Sequence, residues 1–178
     1  MNKLTQNNLI NLVFFQVVWF LTVIGAANGS LWPGCIGLAA FFAVHQWASA
    51  TAGADFRLAI CAVFAGLVCE AAFVRAGLLL YPTATVFVLG VPVWILILWA
   101  NFALTMNGCL RWLQGKYALA ALLGFMGGPL SYFGGIKLGA ATVGHSLQLA
   151  LASIAICYAI VTPLLLYLAR HLAGLKAR

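Results

Sequence analysis

Residues 58–80 read LAICAVFAGLVCEAAFVRAGLLL, an apolar stretch that contains two charged side chains, Glu70 and Arg75. About 20 such residues in an α-helix cross the hydrocarbon core of a bilayer, because each residue adds about 1.5 Å of length. The stretch therefore predicts a membrane span. Five further stretches are similarly long and apolar, so we predict six spans, at residues 9–27, 31–52, 58–80, 86–106, 117–136 and 147–169.

The composition of the whole chain excludes an ordinary water-soluble domain. Of the 178 residues, 65% are hydrophobic and 6% are charged, whereas a soluble domain has about 25% charged residues. Backbone groups in lipid must be satisfied within helices or within a closed barrel, and the alternating pattern of a barrel is absent. We predict an all-α, polytopic membrane protein, with residues 1–178 folded as a single bundle of six transmembrane helices.

The charged residues and cysteines exclude several kinds of chemistry. Two acidic residues are too few for paired-carboxylate hydrolysis or for a cage of acidic metal ligands. The net charge is +7, but the basic residues are spread singly, which is not typical of nucleic-acid binding. The five cysteines lie in apolar stretches without a C-x-x-C pair, as small buried side chains do. We expect no metal, no cofactor and no nucleic-acid partner.

The basic residues predict the orientation, since membrane proteins keep an excess of Lys and Arg on the cytoplasmic side. Six spans leave Arg75 and Lys137 on one side. The other side collects seven residues, namely Lys3, Arg57, Arg111, Lys116, Arg170, Lys176 and Arg178. Both termini are therefore predicted to be cytoplasmic. We interpret residues 9–27 as a retained span, because this stretch is longer than the apolar region of about 7–15 residues in a cleaved signal peptide.

Glu70 is the most informative single residue of the sequence. It is predicted to lie about 18 Å from the cytoplasmic edge, somewhat beyond the midplane of the bilayer. An ionisable side chain at that depth is costly and marks a functional site by default. Two interpretations stay open, namely an acid or base in an intramembrane reaction, or a protonated structural tie that is hydrogen-bonded to a helix backbone.

A second group of polar residues is predicted nearer the cytoplasm, at about 8–10 Å from the edge of the bilayer. Its members are Gln16, His45, Gln46 and Asn101. Side chains of this kind form hydrogen bonds between helices or line a polar pocket. His45 is either such a bundle residue or the acid–base partner of Glu70 in catalysis. We predict a ligand site that consists of Gln16, His45, Gln46, Glu70, Asn101, Ser131 and Tyr132.

The fifth predicted span combines small residues with a proline. Gly124, Gly128, Ser131 and Gly135 follow one another at steps of four, three and four residues, a spacing that lets helices approach closely. The sequence Gly127-Gly128-Pro129 predicts a break in the helix near the level of Glu70, because proline removes a backbone donor.

Three residues near the outer surface form a further candidate group. Arg75 lies near the end of predicted span three, and Lys137 and His145 lie between predicted spans five and six. They either extend towards the interface, as isolated charges do, or contact a lipid phosphate as an anion site.

Several of these segments resemble the bacterial inner-membrane proteins catalogued as domain-of-unknown-function family 2878. The resemblance rests on Phe15-Gln16 with Trp19, Pro92-Val93-Trp94, Leu98-Trp99-Ala100-Asn101-Phe102, Gly128-Pro129-Leu130-Ser131-Tyr132, and Gly135 with Leu138-Gly139-Ala140. It implies a multi-pass protein of the bacterial inner membrane with no established activity. The family's occurrence near genes for fatty-acid modification favours a lipid-related role.

Three functions follow from these observations. The first is binding or transport of a lipid or small amphiphile in a polar cleft bounded by helices one to five. The second is an intramembrane acid–base enzyme of lipid modification that uses Glu70. The third is a structural or accessory subunit whose small-residue ridge binds a membrane partner or a second copy of the chain.

Overall fold

The computed structural model describes residues 3–82 and 86–174, and it confirms an all-helical fold. Within those ranges six α-helices follow one another: α1 Lys3–Ala27, α2 Trp32–Ala48, α3 Ala52–Arg75, α4 Val93–Ala103, α5 Tyr117–Lys137 and α6 Leu147–Leu172. The connections contain four two-residue strands, β1 Leu79–Leu80, β2 Phe87–Val88, β3 Val91–Pro92 and β4 Thr142–Val143.

Four helices are long and apolar enough to cross a membrane, judged by length and composition. They are Asn7–Ala27 within α1, and α3, α5 and α6. The other two helices are shorter, with 17 residues in α2 and 11 in α4. α5 also exposes large apolar side chains, among them Leu122, Met126 and Leu130, which is where a membrane protein contacts lipid rather than water.

The boundary between α2 and α3 differs from the prediction. α2 ends at Ala48 and α3 begins at Ala52, so residues 53–57 belong to the third helix and not to a connection, and Ala52 belongs to the third helix and not to the second. Thr51 fixes the start of α3, because its hydroxyl donates to the Asp55 carboxylate at 2.8 Å. Hydropathy did not locate this turn, since it contains no charge and no proline.

The other end of α3 also lies earlier in the chain than predicted. The helix ends at Arg75, and Gly77 then adopts a left-handed φ of 63°, a conformation that glycine takes at little cost. β1 follows and pairs with β4 in antiparallel fashion. The apolar residues after Arg75 thus form a short ribbon with the connection that follows α5.

The fourth predicted span, residues 86–106, is helical only in α4. β2 and β3 precede the helix and pair as a tight hairpin, with φ angles of 52° at Leu89 and 81° at Gly90. Positive φ at both central residues is typical of a type I′ turn. Pro92 then stands immediately before α4, where its missing N–H costs nothing. The hairpin was not predicted, because its residues are as apolar as those of a membrane span.

The predicted helix break at Gly127, Gly128 and Pro129 is wrong. α5 continues through all three residues, with Pro129 inside it. Proline deprives one carbonyl of its donor, but a helix in an apolar setting tolerates this when neighbouring groups compensate.

The glycines of α5 serve close packing against α6. A Cβ atom on Gly124 would lie 2.3 Å from the carbonyl oxygen of Tyr158, and one on Gly128 would lie 2.6 Å from the Tyr158 ring. No side chain fits at such distances without a shift of the helices. α5 and α6 are therefore held together by backbone proximity, as small residues allow in membrane proteins.

Long-range hydrogen bonds define the two ends of the bundle. At one end, Arg57 at the start of α3 donates to the carbonyl of Leu172 at the end of α6, at 3.3 Å. Asn107, which follows α4, donates to the carbonyl of Ala169 at 3.3 Å. The pairing of β1 with β4 lies at the opposite end. The helices thus alternate in direction.

A pair of alanine substitutions tests the packing of α5. We expect Gly124→Ala to lower the free energy of unfolding by about 1–3 kcal/mol, the usual cost of overpacking. Gly127→Ala is the matched control, because nothing lies within 4 Å of its Cβ position. Alanine there should be neutral or stabilising by about 0.5–1 kcal/mol. Thermal unfolding in detergent measures both. Equal stability of the two variants would contradict the close contact.

Candidate functional site

A cavity of about 530 Å³ lies between α1, α4, α5 and α6. Pockets for small molecules span about 300–1,000 Å³, so the volume is large enough for a ligand. The wall is mainly apolar and aromatic, with contributions from Phe15, Trp19, Val23, Trp94, Leu98, Trp99, Phe102, Leu123, Tyr132 and Tyr158. Trp19 bridges α1 and α5 beside the cavity, because its indole N–H donates to the Ser131 hydroxyl at 2.8 Å.

The position of this cavity corrects the expected cleft between helices one to five. α6 contributes Tyr158 and Thr162 to the wall, whereas the described lining includes no residue of α2 or α3. The cavity has this position because α5 packs on α6, so that the small-residue ridge of α5 faces both α6 and the cavity. Gly124, Gly128 and Gly135 all lie along its lining.

Glu70 is fully buried beside this cavity and accepts hydrogen bonds from three side chains. The Tyr81 hydroxyl donates to Oε2 at 2.9 Å, and the Trp99 indole N–H donates to Oε1 at 3.3 Å. The Tyr132 hydroxyl also donates to Oε1. These partners come from the β1 connection, α4 and α5. The partners described for the carboxyl are therefore side-chain donors, and not the helix backbone that the structural-tie interpretation expected.

Tyr81 remains a donor over the physiological pH range. Burial, and next the charge of the neighbouring Glu70 carboxylate, raise the pKa of the Tyr81 phenol well above its usual value of 10. Both effects disfavour the phenolate, because a second negative charge would form in an apolar environment. The hydroxyl proton is thus available to the carboxyl group.

Two aromatic residues connect Glu70 to the cavity. Trp99 and Tyr132 line the cavity and also donate to Glu70, whereas Glu70 is not among the described lining residues. Tyr158 adds a third ring, with its centroid 5.2 Å from that of Trp99 and 5.9 Å from that of Tyr132. A ligand in the cavity would meet the carboxyl group through these donors, not directly.

Some polar atoms near the cavity lack a partner in the described part of the chain. The indole N–H of Trp94 and the hydroxyl of Thr162 have none, although both residues line the cavity and are 3% exposed. A buried donor without an acceptor costs about 1–3 kcal/mol. Both atoms have almost no accessible surface, so they lie within the packed wall and do not face the cavity.

Of the two interpretations of His45, the structure supports the hydrogen-bonded bundle residue and not the acid–base partner of Glu70. Its Nε2 lies 2.7 Å from Oδ2 of Asp55, and both residues are buried. Thr51 donates to the same carboxylate at 2.8 Å, and Asn107 donates to Oδ1 at 2.6 Å. Gln114 extends the cluster, because its amide donates to Oδ1 of Asn107 at 2.6 Å. The cluster joins α2, α3 and the connection after α4.

Sequence reasoning missed Asp55 because it placed this residue in a polar connection between two spans. A charged residue in such a connection is ordinarily solvated. The signal that could have identified it is its spacing from Thr51 and Ser49, since a hydroxyl four residues before an aspartate can bond to it across the first helical turn. Asp55 is 0% exposed and forms the centre of the second polar cluster.

The other predicted ligand residues separate into two groups. Gln16, Ser131 and Tyr132 line the cavity. Asn101 instead donates to the carbonyl of Phe15 at 3.0 Å and joins α4 to α1, and Gln46 is exposed on α2. The structure thus brings three of the seven predicted residues to the cavity wall and places Glu70 behind it.

The candidate anion residues lie on the surface at the β1–β4 end of the bundle. Arg75, Lys137 and His145 are all exposed. Lys137 places its ammonium group 5.3 Å from the centre of the Phe133 ring, and the His145 ring packs beside Gly77. The three residues therefore share an end of the bundle, as the sequence predicted.

Four helices of membrane-spanning length around a buried carboxyl and an apolar cavity are features of an α-helical membrane protein. The family model described as "Protein of unknown function (DUF2878)" matches residues 8–164, so the chain belongs to this family and the resemblance noted in the sequence is confirmed. No curated protein and no solved structure matches the chain.

Asp55 is expected to be essential for stability. Asp55→Ala leaves His45, Thr51 and Asn107 without their common acceptor, so we expect the free energy of unfolding to fall by about 3–5 kcal/mol, as when one partner of a buried pair is removed. Thr142→Ala, at an exposed position, should change it by less than about 0.5 kcal/mol. Denaturation in detergent micelles gives both values. Equal stability of the two variants would contradict the importance of the cluster.

Proposed function

We propose that this chain binds or transports a lipid or small amphiphile in the cavity between α1, α4, α5 and α6. The observation that carries the proposal is the combination of an apolar, aromatic wall with a few polar groups. An acyl chain matches the apolar wall, and an oxygen-bearing head group matches the Gln16 amide and the Ser131 hydroxyl, which line the cavity. Specific pockets for small molecules are built in this way.

The membrane setting belongs to the same proposal. We infer a bacterial inner-membrane protein whose six helices all enter the bilayer, with both termini in the cytoplasm. The alternating helix directions and the positive-inside rule support this orientation, since Arg57 near the start of α3 lies at the same end of the bundle as Arg111 and Lys116 in the connection between α4 and α5. Lys176 and Arg178, which also contribute to the charge bias, lie outside the described residues.

The accessory-subunit alternative is less well supported by the packing. Its ridge of small residues was expected to bind a partner helix. Gly124 and Gly128 already face α6 of the same chain, and Ser131 already accepts a hydrogen bond from Trp19. A partner helix or a second copy would need another surface.

The enzyme alternative retains one supporting observation, which is a buried carboxyl group one side chain away from the cavity. It loses His45, whose partner is Asp55. Direct proton transfer requires an acid or base within hydrogen-bonding reach of the substrate, and Tyr132 and Trp99 stand between Glu70 and the cavity. Binding therefore accounts for the geometry with fewer assumptions.

A cavity-filling variant tests ligand binding. The probe is a long-chain fatty acid that carries a diazirine and an alkyne, added to the protein in nanodiscs and photoactivated. Gly127 lines the cavity and has nothing within 4 Å of its Cβ position, so Gly127→Phe fills space without a clash. We expect labelling of α4–α6 peptides to fall about tenfold, equivalent to about 1.4 kcal/mol of binding.

Gly53→Phe is the matched control, because Gly53 is also an exposed helical glycine in open space but does not line the cavity. Its labelling should equal that of the unchanged protein. Equal labelling of the two phenylalanine variants, or labelling spread evenly over the outer surface, would refute the cavity as the binding site.

The fate of the same probe separates binding from catalysis. We expect the unchanged protein to release the fatty acid chemically intact, as judged by mass spectrometry. Glu70→Gln should weaken labelling severalfold, because an amide replaces the carboxylate that orients Tyr132 and Trp99. A modified fatty acid that forms with the unchanged protein and not with Glu70→Gln would support the enzyme instead.

A further inference from the structure

Two cysteines meet inside the bundle, although they are distant in the sequence. The Sγ atoms of Cys69 in α3 and Cys157 in α6 are 3.1 Å apart, with 88 positions between the residues. Both side chains are only partly exposed, whereas Cys61, two turns earlier on α3, is exposed. The contact is one between two helices and not a local feature of either.

The position of this pair relates it to the buried carboxyl group. Cys69 directly precedes Glu70, and Cys157 directly precedes Tyr158, which lines the cavity. Both cysteines pack against the core around Trp99 and also against the core around Tyr132. A covalent bond at this point would fix the distance between α3 and α6 where the cavity wall and the carboxyl group meet.

We propose that Cys69 and Cys157 are a redox-active thiol pair that closes to a reversible disulfide between α3 and α6. A disulfide needs a sulfur–sulfur distance of about 2.0 Å and Cα atoms within about 7 Å. The sulfur atoms therefore need to approach by roughly 1 Å from their present positions, a displacement that rotation about the side-chain bonds provides. The site is independent of the proposed ligand.

The oxidation requires an electron acceptor, for which we assign a lipid-soluble quinone. The two thiols lose two protons and two electrons as one S–S bond forms, and the quinone takes up both to become a hydroquinone. The acceptor must be lipid-soluble because Cys157 lies ten residues inside α6, about 15 Å from its start. Charged oxidants are excluded from hydrocarbon at that depth.

Cleavage of the chain between the two cysteines tests the pair directly. A protease site is inserted after Gly115, an exposed glycine at φ 87° with open space around it, and Cys35, Cys61 and Cys109 are changed to Ser. The protein is reconstituted in vesicles and treated with a fully substituted short-chain quinone, then cleaved. We expect the two fragments to stay joined on a non-reducing gel and to separate when a reductant is added.

Two variants control for proximity. Cys69→Ser in the same background should give separate fragments under all conditions. A protein that keeps Cys61 and Cys157 in place of the pair should also give separate fragments, because Cys61 lies on the exposed side of α3. Linkage through Cys61 would show that the helices move freely and would overturn the assignment.

A measurement on the unchanged protein gives a test that does not depend on correct folding of the variants. Its intact mass should fall by two hydrogen atoms after quinone treatment and return after reduction, and the disulfide peptide should contain Cys69 and Cys157. Absence of the bond in both experiments would overturn the pair. A bond that forms with a diazene oxidant but not with the quinone would overturn the quinone as electron acceptor.

Discussion

The need to satisfy two buried carboxyl groups constrains the arrangement of the whole bundle. Asp55 and Glu70 are the only acidic residues of the chain, both are 0% exposed, and both belong to α3. Burial of a carboxylate is costly unless donors surround it. The donors come from α2, α4, α5 and the connections. α3 is therefore the element to which the carboxyl groups fix α2, α4 and α5.

The two carboxyl groups act at different levels of the bundle. Fifteen residues separate them along α3, which corresponds to roughly 22 Å. Asp55 is enclosed by amide and hydroxyl groups near one end, where the described partners account for both carboxylate oxygens. Glu70 is enclosed by aromatic donors beside the cavity. The first arrangement suits a fixed structural tie, whereas the second leaves the carboxyl group one side chain away from the cavity.

The sequence predicted the helical class and the burial of Glu70 because both depend on local properties. Apolar length is visible in any window of the chain, and a charge within an apolar window is conspicuous. The partners from other helices were not predictable, since they depend on which helix faces which. The burial of Asp55 was missed for the same reason, because it depends on Asn107 and His45, and only the bond from Thr51 is local.

The errors in the predicted helices have a related physical origin. Gly127-Gly128-Pro129 has the local chemistry of a break, yet α5 stays helical through all three residues and packs closely on α6. The hairpin of Phe87–Val88 with Val91–Pro92 has the hydropathy of a span, yet positive φ at Leu89 and Gly90 reverses the chain. The continuous helix goes with tertiary packing and the hairpin with turn geometry. Hydropathy reports neither of these properties.

Trp99 and Tyr132 line the cavity and also donate to Glu70. A change in the cavity wall at either residue therefore affects the hydrogen bonds of the carboxyl group. Trp99 and Tyr132 cannot turn towards a ligand without loosening their hydrogen bonds to Glu70. A hydrogen bond contributes about 0.5–1.5 kcal/mol net, and about 1.4 kcal/mol corresponds to a tenfold change in affinity. A ligand that moves either side chain must therefore compensate for a cost large enough to determine which ligands bind. A carboxyl group that never touches the ligand can set its specificity in this way.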